Sequence, residues 1–257
     1  MEQQIITDKK ILFISDFHLG IPNEEESRKR ELKIVRFLKS LEEKISHIYF
    51  LGDIFDFWFE YKNAIPKGYS RFFGQLANLS DQGVKLTFFK GNHDMWMFDY
   101  LKKEFNANVI TNELLINING QKIFMHHGDG LGKGDYAYKL LKGFFRSSVC
   151  QWLFARLHPN FGIGIANFLS KKSRLANGKI LPEQPLDKEI LYQYIVKMHK
   201  ELAANIYICG HRHLAMHKLL ANNAVYINTG NCFKDFNYAM LVGAKIELYN
   251  FEKSFDD

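Results

Sequence analysis

Five short polar motifs, each placed where an apolar strand pattern gives out, constrain this chain more than any other feature. They are D-F-H (Asp16, His18), G-D-I-F-D (Asp53, Asp56), G-N-H-D (Asn92, His93, Asp94), H-H-G-D (His126, His127, Asp129) and G-H-R-H (His211, His213). A fold that unites them must gather strand ends at one edge, as open α/β sheets do at the carboxyl ends of their strands. Carboxylate, imidazole and amide groups without a thiolate suit two divalent ions of the Mn, Fe, Co or Zn type, not a structural zinc. Two such ions side by side activate water and clamp a phosphate in the same step.

The pattern between the motifs predicts an α/β domain. Apolar runs at Lys10–Ser15, His47–Leu51, Val84–Lys90 and Ile206–Cys209 read as strands, each running into a motif. Helical spacing covers Glu25–Glu43, Phe72–Asp81 and Asp187–Leu202. Leu114–Ile118 and Lys122–Met125, joined across Asn119-Gly120, predict a hairpin that delivers His126 and His127. Four short strands close the chain: Ala215–Leu220, Ala224–Asn228, Tyr238–Val242 and Lys245–Phe251. The segment 133–185 breaks this rhythm. It predicts one long helix through Tyr138 and Leu157, an interruption at His158-Pro159-Asn160 and Gly162/Gly164, and a shorter helix over Ile165–Leu175. We read 1–257 as a single domain and 133–185 as a helical cap inserted into it.

Asp16 and His18 are two apart, as are His211 and His213, so on an extended chain each pair shares one face. Gly52 permits a sharp exit from its strand before Asp53. Asp53 is the carboxylate chosen to bridge two ions through its two oxygens, with Asn92 and His127 completing the second ion. Asp56 reads as a hydrogen-bond acceptor, not a ligand, and His126 as a core residue on the other side of its strand. His217 is left between a supporting role and ordinary surface. His47, His158 and His199 are read as structural or solvent-facing.

The ordered set D-x-H, G-D-x-x-D, G-N-H-D, H-G-D and G-H-x-H resembles the calcineurin-like metallophosphoesterases, over about Ile11 to Asn231. The resemblance implies an α/β four-layer αββα sandwich. It implies one ion held by Asp16, His18, Asp53 and His213, and another held by Asp53, Asn92, His127 and His211. His93, beside Asn92, would then face the phosphoryl group and protonate the leaving oxygen, with Asp94 orienting its ring.

Charge locates the substrate side. The net charge is +6, yet between Lys133 and Pro182 nine Lys or Arg face one acid, Asp135, so the rest of the chain is slightly acidic. Phe144, Phe145, Trp152, Phe154 and Phe168 in the same segment predict an apolar trough beside that basic charge. The stretches D-F-H-L-G, L-G-D-I-F-D-F-W, H-G-D-G-L-G-K-G-D-Y-A-Y and S-R-L-A-N-G-K resemble the UDP-2,3-diacylglucosamine pyrophosphatases of lipid A synthesis. That resemblance implies a nucleotide-linked acylated sugar as substrate, cleaved to UMP and 2,3-diacylglucosamine 1-phosphate with two divalent ions, manganese foremost. It implies substrate contacts from Asn92, His93, Asp135, Ser173, Asn177, Lys179 and His211. It also implies a cytoplasmic protein lying on the anionic inner face of the membrane, with no nucleic acid and no obligate protein partner. The best-known branch of the family carries Arg where this chain has His93; Arg is a fixed cation, whereas His also transfers a proton.

Two further observations bear on class. No apolar run reaches the roughly 20 residues of a membrane span, and MEQQIITDKK lacks the order of a signal peptide. Cys150, Cys209 and Cys232 are odd in number and scattered, which predicts no disulfide framework and fits a reducing compartment. The alternatives are a phosphoesterase for nucleotides, cyclic nucleotides or phosphoproteins, a nuclease, or a non-catalytic scaffold. A nuclease fits poorly with basic charge confined to one aromatic segment, and a scaffold with a complete ligand set.

Overall fold

The computed structural model describes residues 4–134, 136–177 and 186–252, with the backbone alone for 171–177 and 187. The first half runs β1 (Gln4–Ile5), β2 (Lys10–Ile14), α1 (Glu24–Ser40), β3 (Ile45–Phe50), α2 (Ser70–Asp81), β4 (Lys85–Phe89), α3 (Tyr100–Phe105) and β5 (Asn108–Ile110). The hairpin β6 (Leu114–Ile118) and β7 (Gln121–His126) follows, then α4 (Tyr136–Arg146), α5 (Ser148–Phe154), α6 (Pro159–Asn177) and α7 (Ile190–Leu202). Strands β8 (Ile206–Cys209), β9 (Ala215–Leu219), β10 (Val225–Thr229), β11 (Asn237–Val242) and β12 (Lys245–Asn250) complete it.

The alternation of side chains along β2 decides the layering. Ile11 and Phe13 point to one face, Leu12 and Ile14 to the other, and all four are buried. A strand apolar on both faces must be covered on both. One sheet has the order β12-β11-β2-β3-β4-β5, the other β1-β6-β7-β8-β10-β9. Ile11, Phe13, Tyr49 and Leu51 of the first pack with Ile123, Met125, Ile208 and Ile227 of the second, forming the inner core. Leu12, Ile14, Phe50 and Phe88 pack outward against Ile34 and Leu38 of α1 and Phe72 and Leu76 of α2. On the far side Phe124, Tyr207 and Tyr226 pack against Leu191 and Ile195 of α7. The result is the αββα sandwich.

Parallel pairing aims the motif strands in one direction. β2, β3 and β4 are mutually parallel in one sheet, and β7, β8 and β10 in the other. Their carboxyl-terminal loops meet at one edge.

The segment 133–185 departs from its sequence reading in two places. The single long helix is two, because Ser147 adopts an extended conformation and its side chain accepts from the Cys150 N–H, starting α5 afresh. Conversely α6 runs unbroken through Gly162 and Gly164. Pro159 occupies its first turn, where a missing N–H costs nothing. Gly162 serves close packing, since a Cβ there would lie 2.5 Å from the Tyr61 hydroxyl.

The predicted aromatic trough also divides. Phe145 and Phe154 turn inward against Phe57, Phe59, Tyr61 and Trp96, while Phe144, Trp152 and Phe168 are each more than half exposed. Much of the basic charge is engaged as well. Arg146 bonds Asn112 Oδ1 and the Thr111 carbonyl, both at 3.0 Å, and Arg156 lies over the Trp152 ring. Among the described residues no helix is long and apolar enough to cross a membrane.

Candidate dinuclear metal centre

Five loops build the site. Asp16 and His18 follow β2, Asp53 and Asp56 follow β3, Asn92 to Asp94 follow β4, His127 follows β7, and His211 and His213 follow β8. The pairs two apart are not extended, contrary to the sequence reading. Asp16, His18, Asp53, His211 and His213 all have φ between 45° and 68°. A non-glycine residue in that left-handed region costs about 1–3 kcal/mol. Tertiary hydrogen bonds hold the loops there: Asp16 N–H to the Gly52 carbonyl (3.1 Å), His18 N–H to the Asp53 carbonyl (3.0 Å), and His211 N–H to Asp16 Oδ2 (3.0 Å).

Among the described residues the side chains form two adjoining clusters, Asp16 with His18 and His213, and Asp53 with His127 and His211, and a third group, His18 with Asp56 and His93, overlaps the first. In the first, His18 Nε2 and His213 Nε2 are 3.1 Å apart, and His213 Nε2 is 3.1 Å from Asp16 Oδ1. That oxygen is buried without a hydrogen bond of its own. In the second, His127 Nε2 lies 3.4 Å from Asp53 Oδ2 and 3.2 Å from Asn92 Oδ1. Ligand atoms about 2.1 Å from a common ion are roughly 3.0–3.4 Å from one another. Nitrogen facing nitrogen and an unbonded carboxylate oxygen at those separations fit two divalent ions, and the all N/O donor set suits transition metals.

Asp53 stands between the clusters, but through one oxygen. Oδ2 is 3.8 Å from His18 Nε2 and 3.4 Å from His127 Nε2. Oδ1 accepts the His93 backbone N–H at 2.9 Å. Were Asp53 to be shared by two ions, Oδ2 is the oxygen that faces both clusters, while Oδ1 is taken by the β4 loop.

Glycine makes this approach possible. A Cβ on Gly91 would sit 2.1 Å from Asp53 Oδ1 and 2.4 Å from its nitrogen. Gly91→Ala is expected to displace Asp53 and destabilise the fold by about 1–3 kcal/mol. Thermal denaturation together with metal titration checks both effects; an unchanged melting temperature and affinity would show that the loop has slack.

Electrostatics follow from burial and Asp53. Burial opposes a charge on His127, yet the adjacent Asp53 outweighs it and lifts the ring to about 10. Asp53 stays well below the usual carboxylate range: burial opposes this, and His127 and His93 outweigh it. Burial drives His18 well below its ordinary value and His211 down to about 4. The positive charge that Asp53 draws to His127 is of the sign a divalent ion would supply.

His93 sits at the mouth, with 21% of its side chain exposed. Its Nδ1 lies 3.0 Å from the Asp56 carbonyl oxygen and 3.5 Å from Asp56 Oδ1. Its ring stands edge-on to His18, centroids 4.9 Å apart. Asp94 does not orient it, contrary to the sequence reading. The Asp94 carboxylate is fully buried and accepts backbone N–H groups from Gly91 (2.8 Å), Asp53 (3.3 Å), Ile54 (2.8 Å) and Phe55 (3.3 Å). It joins the β3 and β4 loops through these bonds, although burial and the nearby Asp53 outweigh them and push its carboxyl up to about 7. The place beside His93 belongs to Asp56, which also approaches His18 Nδ1 at 3.7 Å.

Asp129 turns away from the ion clusters to the cap. It accepts from the Tyr138 hydroxyl and pairs with Lys142 Nζ, both at 2.6 Å, one helical turn apart on α4. Nothing in the spacing of H-H-G-D announced this clamp.

His126 is buried, and its Nδ1 accepts the Gly128 N–H at 2.7 Å, which requires a neutral ring. Burial pushes it down to about 3. As pH falls below about 6.5 the unfolded chain takes the proton first, so stability present at neutral pH is lost towards pH 3. His126→Gln is expected to remove about 1.4 kcal/mol per pH unit from that loss. Urea unfolding at pH 7 and pH 5 measures it, and parallel slopes for the two proteins would refute it.

His199 is structural, sharing hydrogen bonds with Tyr207 and the Ala221 carbonyl; His217 is exposed on β9. Of the expected substrate contacts, Asn92, His93 and His211 line the site. Asp135 and Lys179 lie outside the described residues; Ser173 and Asn177 belong to α6, without described side chains.

The model of the calcineurin-like phosphoesterase family matches residues 9–215, and the chain belongs to that family. It is similar to a Porphyromonas gingivalis protein described as "UDP-2,3-diacylglucosamine hydrolase", 33% identical over 256 residues covering 95% of this chain and 98% of that one. A protein of Wigglesworthia glossinidia brevipalpis with the same description is 29% identical over 243 residues, 94% of each chain. Among solved structures, Vacuolar Protein Sorting 29 from Cryptosporidium parvum aligns over 94% of this chain and 96% of its own, at 12% identity and TM-score 0.45.

Proposed function

We propose that this protein hydrolyses the pyrophosphate bond of UDP-2,3-diacylglucosamine, releasing UMP and 2,3-diacylglucosamine 1-phosphate. The observation that supports it most is a phosphoesterase site set under a helical segment whose free faces are apolar. Leu140, Phe144, Trp152, Phe161, Phe168 and Leu169 are each more than half exposed. Burying an acyl chain against them is worth about 0.8 kcal/mol per CH₂. The similarity to proteins described as UDP-2,3-diacylglucosamine hydrolases, spanning nearly the whole chain, points the same way.

Asp16, His18, Asp53 and His213 would hold one divalent ion, and Asp53, Asn92, His127 and His211 the other, manganese being the first choice. Such a pair polarises phosphoryl oxygens and brings the pKa of water near 7. The rest is done by the chain. His93 donates Nδ1–H to Asp56, which leaves Nε2 for the substrate; an imidazolium so held hydrogen-bonds the developing oxyanion and protonates the leaving oxygen. Asn92 and His211 bound the pocket with it, and Asp135, Ser173, Asn177 and Lys179 are assigned to the nucleotide and sugar. The apolar helices would lie on the anionic inner face of the cytoplasmic membrane, where each Lys or Arg adds about 1 kcal/mol. No nucleic acid or obligate protein partner enters this reading.

Release of UMP from UDP-2,3-diacylglucosamine with manganese, beside bis-p-nitrophenyl phosphate and cyclic nucleotides, tests it. A strong preference for the acylated sugar nucleotide is expected. Equal or better turnover of the soluble diesters favours a second reading, general diester hydrolysis, to which His93 in place of the Arg of the best-known branch lends weight.

A further inference from the structure

One of the helices that carry the apolar surface, α6, reaches the candidate catalytic residues through a described side chain. Ser170 on α6 donates its hydroxyl to Asp56 Oδ2 at 2.9 Å, across 114 residues of sequence. The other oxygen of the same carboxylate is 3.5 Å from His93 Nδ1 and 3.7 Å from His18 Nδ1. The Asp56 carbonyl, 3.0 Å from His93 Nδ1, completes the seat of the ring. Phe168 and Leu169, the two residues before Ser170, are 67% and 53% exposed. Within three consecutive residues α6 therefore presents apolar groups outward and a hydroxyl to the residue that fixes His93.

A carboxylate rotates about its Cβ–Cγ bond unless both oxygens are engaged. The Ser170 hydroxyl on Oδ2 restrains that rotation for Asp56, and with it the placement of Oδ1 beside His93. Any shift of α6 moves Ser170 with it.

We propose that Ser170 is a positioning residue that couples the seating of α6 to the orientation of His93 through Asp56. The proposal rests on the phosphoesterase reading above and deepens it. An acylated substrate that packs on α6 steadies the helix and so the acid. A soluble diester that leaves α6 untouched gives the helix no such support.

Ser170→Ala, His93→Ala and their combination test this. Alanine suits a helix, and Ser170→Thr retains the hydroxyl. With bis-p-nitrophenyl phosphate, Ser170→Ala is expected to lower kcat by about 3- to 30-fold, with KM, metal content and melting temperature unchanged. In the His93→Ala background the same change is expected to cost almost nothing further, because both act through one group. Ser170→Thr restores kcat. Independently of turnover, the ring ¹⁵N resonances of His93 in the zinc-loaded protein are expected to move in Ser170→Ala and return in Ser170→Thr. Full additivity of the two alanine changes, an effect on KM alone, or His93 resonances identical in Ser170→Ala would each overturn the proposal. Because the diester and the resonances do not involve the sugar nucleotide, failure to cleave UDP-2,3-diacylglucosamine would sink the substrate reading and leave this one standing.

Discussion

Asp53→Asn is expected to empty both metal positions and abolish hydrolysis. The amide is nearly isosteric with the carboxylate, so the outcome turns on donors and acceptors alone. In the native site Oδ1 accepts the His93 N–H and Oδ2 faces His18 and His127. If the amide oxygen keeps the His93 bond, an NH₂ group points into the space between the clusters, where it has no lone pair to offer. If the oxygen turns to the clusters, NH₂ opposes the His93 N–H and the β4 loop loses its anchor. Loss of a partner that merely supports a ligand costs about 10–100-fold in metal affinity. A shared ligand should cost at least about 100-fold at each position. Metal content by plasma mass spectrometry after dialysis reads the effect directly; two full equivalents in the variant would contradict the bridge.

His93→Ala, in contrast, is expected to leave the metal content intact and to lower turnover by about 10²–10⁴-fold. The separation of roles is visible in the geometry. His93 contributes its backbone N–H to Asp53 and its ring to Asp56, and the backbone bond survives truncation to alanine. The loss should be largest for substrates with a poor leaving group, which need the proton most, and smallest for an activated nitrophenyl ester. Equal losses across leaving groups would assign His93 to charge stabilisation alone, and loss of one metal equivalent would move it into the ligand set.

The candidate site was legible in the sequence because its members are polar residues at points where an apolar pattern stops. Asp16, His18, Asp53, Asn92, His127, His211 and His213 are drawn together from five loops for that reason. Their conformation was not legible. A spacing of two describes an extended chain equally well as a chain with both residues at positive φ, and hydrogen bonds such as Asp16 N–H to the Gly52 carbonyl decide between them. Asp56 stands where Asp94 was expected beside His93 for a related reason: which carboxylate meets His93 depends on where the β3 loop lies, not on adjacency in the chain.

The longer strands and helices were readable from their periodicity and the layering from the family resemblance, while the shortest elements escaped. β5 spans Asn108–Ile110, and α3 buries only Leu101 and Phe105, four residues apart, which is a single turn of pattern. In 133–185 the glycines misled. Gly162 reads as a break until Tyr61, 101 positions earlier in the chain, is seen against it.

Anomalous diffraction from crystals grown with manganese is the most direct measurement of the central claim. Two peaks about 3.5–4 Å apart are expected on either side of Asp53 Oδ2, one by Asp16, His18 and His213, the other by Asn92, His127 and His211. A single peak, or manganese bound away from these side chains, would contradict the account.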